Sequence, residues 1–188
     1  TILSPSLTGW TPSSGPGVNP RFGVDVINLL GFGNTGFDLF FSSPFAVLGD
    51  NSLFIGGTPD AGTFSISQNI VLPAVQGNQQ IESYDLDISF YTVFDGDDSS
   101  STATKDTFSA SFGTNILFSQ DSAPLPNCGP SIICSNNQIV NNPFTGQILG
   151  LSPGTYTLIF SLNEAAGGAT NTAAGIDSVS ITGTANPI

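Results

Sequence analysis

The amino-acid sequence predicts an all-β protein, an antiparallel two-sheet sandwich of jelly-roll type. Three observations predict it. Apolar and polar residues alternate with period two, as where Tyr84, Leu86, Ile88, Phe90 and Phe94 fall on one parity and Asp85, Asp87, Ser89 and Tyr91 on the other. That is the pattern of a strand with one face on a core and one in water. Twenty-two glycines and thirteen prolines punctuate such stretches at short intervals, the spacing that turns require. No stretch carries the 3.6-residue apolar period of an amphipathic helix, and no internal repeat is evident. Roughly eight to ten short strands joined by turns bury their apolar faces best as two packed sheets.

The expected elements follow from these rules in chain order. Ile2–Leu7 reads as a strand, and the prolines and glycines of Thr11–Pro20 argue against a regular element there. Residues 1–20 are expected to be an extended arm or an edge strand, and an arm would pair with a neighbouring subunit's sheet. Phe22–Leu30 is a short helix or a buried strand, which periodicity does not decide. Phe37–Phe41, Phe45–Leu48, Leu53–Ile55 and Thr63–Leu72 read as strands bounded by Gly, Pro, Asn or Asp. Ile81–Phe118 reads as a long β-hairpin, with Tyr84–Phe94 and Asp106–Phe112 as its arms and an acidic tip between them. Asn115–Ser119 continues as a strand. Residues 121–147 form a polar, Pro- and Asn-rich excursion holding a short Gln138–Val140 strand; connections of that length tend to be interactive. A Pro-Gly turn launches the strand within Leu151–Leu162, and Gly175–Thr182 closes the chain's last sheet. Residues 21–188 are expected to form a single sandwich domain.

Composition bounds the function. Fifteen phenylalanines among 39% hydrophobic residues supply a core, which rules against disorder. Charged residues make up 9%, against roughly 25% in an average soluble protein, so hydroxyl, amide and backbone groups must form most of the polar surface. The net charge is −12, and Arg21 and Lys105 are the only cations. Nucleic-acid phosphates and anionic membrane surfaces are therefore excluded as partners, and divalent cations are favoured. The absence of His and Met removes the commonest general base and most transition-metal sites.

Four acids are candidate metal ligands. Asp95, Asp97 and Asp98 crowd the hairpin tip and repel one another unless a cation or solvent relieves them; such hard oxygen ligands suit a structural Ca2+. Asp177 shares its parity with Val179 and Ile181, and an acid on an apolar face needs hydrogen-bond donors or a metal. A solvated, charged hairpin tip is the alternative for the first three. Cys128 and Cys134 are expected to form a disulfide around a small loop, contributing about 2 kcal/mol. Catalysis finds no support: no His serves a Ser or Cys triad, and no local spacing recommends a carboxylate pair among the fourteen acids, of which Glu82 and Glu164 are the only glutamates. Trp10, Tyr91 and the amide-rich 136–147 region are candidates for sugar binding, which uses an aromatic platform beside amide and carboxylate groups. Packing at the sandwich edge is the alternative for Trp10.

The C-terminal part of the chain resembles secreted bacterial proteins of the PEP-CTERM class, with cyanobacterial members nearest in flavour. The resemblance lies in Leu151-Ser-Pro-Gly-Thr-Tyr-Thr-Leu-Ile-Phe160, in Ala174-Gly-Ile-Asp-Ser-Val-Ser-Ile181 and in Asp106-Thr-Phe-Ser-Ala-Ser-Phe112. The Pro-Glu-Pro tag, hydrophobic helix and basic tail of that class are not in this sequence, as expected of a processed product. The resemblance implies export, an extracellular or cell-surface location and association with extracellular polysaccharide; it implies no catalytic residues. Together the readings give a leading expectation of a non-enzymatic structural protein of the cell surface or matrix. It would self-associate into a fibre or layer by strand-edge pairing. The second expectation is a calcium-supported, lectin-like carbohydrate-binding module.

Overall fold

Period-two segments become strands in the computed structural model, which describes residues 9–14, 20–25, 45–50, 62–95, 97–98, 105–124, 138–165 and 173–188. Thirteen strands lie among them: β1 (Thr11–Ser14), β2 (Pro20–Asp25), β3 (Phe45–Asp50), β4 (Gly62–Leu72), β5 (Val75–Gln76), β6 (Gln79–Asp95), β7 (Asp97–Asp98), β8 (Thr107–Phe112), β9 (Asn115–Asp121), β10 (Ala123–Pro124), β11 (Gln138–Leu151), β12 (Gly154–Glu164) and β13 (Ala173–Pro187). One sheet has the order β1-β4-β12-β8-β9 and the other β11-β6-β13-β3-β2, with β5 folded back on β6. Every pairing in the two sheets is antiparallel, and the short β7–β10 bridge is parallel. The protein is an all-β antiparallel sandwich, as its sequence predicts. No helix of the described residues is long and apolar enough to cross a membrane.

The sheets are held face to face by phenylalanines. Phe64 and Ile66 of β4, Phe108 and Phe112 of β8 and Leu158, Phe160 and Leu162 of β12 are buried from one side. Tyr84, Leu86, Ile88, Phe90 and Phe94 of β6 meet them from the other. Phe90 stands edge-on to Phe160 at 4.9 Å between ring centroids, and Phe94 lies 5.8 Å from Phe108. Each such side chain contributes about 1.5–3 kcal/mol by leaving water, and ring pairs of this geometry add roughly 0.5–1.5 kcal/mol.

Three sequence expectations change. The arms of the expected 81–118 hairpin do not pair: β6 belongs to one sheet and β8 to the other. Alternation says only that a strand has one apolar face, and that face is buried as well across a sandwich as beside a partner in a sheet. The true hairpin partner of β8 is β9. Its turn is turned by Gly113 at φ 58°, where an added Cβ would come within 3.0 Å of the Tyr156 ring. Second, the expected excursion at 121–147 yields its last ten residues to β11, which runs fourteen residues. Its Pro143 is tolerated because β11 is an edge strand with an irregularity at that point. Third, Thr11–Ser14 is a regular strand despite its proline, paired with β4 of its own chain. The Phe22–Leu30 ambiguity resolves to strand over Pro20–Asp25. The expected strands Ile2–Leu7, Phe37–Phe41 and Leu53–Ile55, and the Cys128–Cys134 loop, lie outside the described residues.

Candidate functional site

β6 runs through the interior of its sheet, flanked by β11 and β13. Its even-numbered residues face the core, so Asp85, Asp87, Ser89 and Tyr91 face outward. The register sets two polar rows across three strands: Gln147, Asp87 and Thr182 in one, Thr145, Ser89 and Ser180 in the next. Between these six side chains lies an open groove of about 500 Å³, within the range of small-ligand sites. Gln147 Nε2 donates to Asp87 Oδ1 at 2.6 Å. That bond leaves the second carboxylate oxygen, the amide oxygen, the second amide N–H and four hydroxyls for a ligand.

Below the groove, Asp85 ties the strands together. Its Oδ1 accepts from the Gly150 backbone N–H at 2.8 Å, and its Oδ2 accepts from Asn186 Nδ2 at 3.1 Å. The Gly150 bond first and the Asn186 bond second hold this carboxyl below its ordinary value of 3.8, because both donors favour the ionised form.

Above the groove stands Tyr91, 36% exposed, between two β-bulges. On β13, Asp177 pairs with Tyr91 and Ser180 with Ser89, so two residues oppose the single Phe90. On β11, Asn141 pairs with Thr92 and Phe144 with Phe90, so two residues oppose Tyr91 itself. Bulges bend a strand and re-aim its side chains. The β13 bulge contains Ser178 in the left-handed region at φ 54°, and Asp177 Oδ1 accepts the Ser178 N–H at 2.6 Å. Just beneath, Phe144 stacks on Phe90 at 4.5 Å and fixes β11 against β6.

The bulge also corrects the expectation for Asp177. Without it, Asp177 would share the inward face of Ile181, which opposes Ile88. The extra residue shifts the alternation, and Asp177 lies half-buried opposite outward Tyr91. It is also separated from the other candidate ligands. Asp95 is level with Ala173, four residues from Asp177, or about 13 Å at the usual strand rise. Asp97 and Asp98 lie on β7, paired with Ala123 and Pro124. Among the described residues no cluster of three or more His, Cys, Asp or Glu is placed to hold a metal.

Trp10 and Tyr91 do not share a site. Trp10 is half-buried with its ring 5.7 Å from that of Phe160, closing the core at the β1 edge of the five-stranded sheet, while Tyr91 faces out from the opposite sheet. Sequence reasoning missed Asp87 and Gln147 as a pair. Asp87 was visible as an outward acid; Gln147, sixty residues away and at the end of an expected loop, carried no signal of its register.

No family model and no curated protein matches the chain. Among solved structures, TmCBM61 in complex with β-1,4-galactotriose is 13% identical over 93% of this chain and 88% of its own, with a TM-score of 0.46. A cyclase from Fischerella sp. TAU in complex with 4-(1H-indol-3-yl)butan-2-one is 10% identical, covers 98% of this chain and 88% of its own, and has a TM-score of 0.46. A structure described as "CBM4 structure and function" is 11% identical over 94% of this chain and 95% of its own, with a TM-score of 0.41.

Proposed function

We propose that the chain is a non-catalytic carbohydrate-binding domain acting outside the cell, and that its site is the groove at Asp87, Ser89, Thr145, Gln147, Ser180 and Thr182, ending at Tyr91. One observation carries the reading: bulges in both neighbours of β6 converge on Tyr91 directly beside a groove walled by an acid, an amide and hydroxyls. Sugars present hydroxyl donors and acceptors around an apolar ring face. A carboxylate and an amide serve the former, and an aromatic ring the latter. Binding without turnover fits the acids present. Asp85, the next acid along the face, is held ionised, the opposite of what a glycosidic proton donor needs.

A glycan panel followed by titration calorimetry tests this. Tyr91→Ala and Asp87→Ala each weaken binding at least tenfold, while Trp10→Ala lowers stability and leaves the affinity of the folded protein unchanged. Absence of binding to every glycan, or binding indifferent to both site changes, refutes it. In this reading structural calcium belongs to the Asp95–Asp98 end of the molecule, and a higher Tm in calcium than in chelator supports it by mass action.

Self-association through sheet edges is a second reading with its own support. Among the described residues β9 and β11 end their sheets, and they carry Ile116 and Leu149, 77% and 68% exposed; exposed apolar edges invite pairing. Electron microscopy of the purified protein decides it, since a field of monomers with and without calcium removes the polymer.

A further inference from the structure

We infer that the groove selects glycans free of anionic groups, a specificity that rests on the carbohydrate-binding reading above. The charges that register places around the groove are negative. Asp87 lies in the groove, Asp85 one outward position below it on β6, and Asp177 opposite Tyr91 beyond its other end. Neither cation of the chain has its backbone near the groove. Arg21 is level with Gly49, and Gly49 with Ala173, so its backbone lies two strands beyond β13 and seven residues along from Ser180. That is about 20 Å along the strands and about 10 Å across them, well past the Debye length of about 8 Å in physiological salt. Lys105 immediately precedes Asp106 and β8, in the other sheet.

The hydrogen-bonding inventory points the same way. The Asp87 carboxylate only accepts, and Gln147 spends one of its two N–H groups on it, so the free carboxylate oxygen is matched by a ligand donor. A sugar hydroxyl donates to such a pair. A uronate or sulfate offers Asp87 only acceptors and sets a like charge beside it. Amino sugars, carrying donors and positive charge, satisfy both conditions. The specificity therefore lies in what the face lacks as much as in what it presents.

Calorimetry in chelator provides the test, with cello-, manno- and galacto-oligosaccharides compared with their C6-oxidised uronate counterparts at low and high salt. The expected result is a neutral ligand bound at least tenfold more tightly than its uronate, with the ratio shrinking as salt rises. Asp87→Asn, which retains the shape of the side chain, narrows the ratio even as it weakens the neutral ligand. A uronate bound as tightly as its neutral counterpart overturns the inference and leaves carbohydrate binding standing. If no member of either series binds, and the glycan panel is also blank, both readings fall.

Discussion

Replacing Phe160 with Ala tests the arrangement on which the site depends. Phe160 is fully buried; in its own sheet it is level with Ile66 and Ala110. From the facing sheet Phe90 meets it edge-on at 4.9 Å, and Trp10 closes over it at 5.7 Å. Truncation removes the ring that three elements share, and the surrounding strands, locked by their ladders, collapse only partly into the void. Phe→Ala changes of this kind cost about 3–5 kcal/mol, a large share of the roughly 5–15 kcal/mol that holds a domain folded. Equilibrium unfolding in urea measures the loss as a lower midpoint at unchanged m. Trp10, the single tryptophan, adds a local readout, because its emission should shift to the red once Phe160 no longer covers it. Phe160→Leu should recover part of the loss. A cost under about 1 kcal/mol with unchanged m and unchanged tryptophan emission would refute the face-to-face packing of β6 against β12, and with it the outward orientation of Asp87 and Tyr91.

Three further outcomes are expected. Asp85, whose folded-state pKa is lowered, stabilises the fold above its unfolded value, and this contribution is lost as pH falls through the folded one; Asp85→Asn should flatten the acid limb of Tm against pH below about 3.8. Gly183 faces Leu86 so closely that an added Cβ would lie 2.8 Å from Leu86 Cδ2, and Gly183→Ala should cost about 1–3 kcal/mol by overpacking in the same urea assay. Ser178 at φ 54° should accept Gly with little change in Tm, whereas Ser178→Val should lose about 1–2 kcal/mol because a β-branched residue resists that conformation.

The strands were legible where alternation was clean. Thr63–Leu72 falls within one residue of β4, because hydroxyl residues outward and Phe64 and Ile66 inward leave one way to lay the strand down; Asn115–Ser119 falls within two residues of β9. Partnership was not legible. Tyr84–Phe94 and Asp106–Phe112 have the same apolar parity whether they pair edge to edge or pack face to face, and the chain between them is long enough to cross from one sheet to the other. β11 was obscured for a different reason. Phe144, Gly146 and Ile148 share a parity against Thr145 and Gln147, yet the Asn and Pro residues ahead of them read as loop. Its place at the edge of the described sheet and the bulge at that point admit Pro143.

The candidate site shows why function was less legible than fold. A groove on a sheet face is made by register, and register here is interrupted twice at one level of β6. Each bulge adds a single residue, an event that leaves hydrophobicity and composition almost unchanged. It nevertheless reverses the facing of everything beyond it, taking Asp177 from the apolar side it shares by parity with Ile181 to a place beside Tyr91. Had β13 run unbroken, that acid would sit inside the sandwich and require a buried partner. With the bulge it belongs to a polar outer surface, and Ser178 bears the backbone strain in its stead.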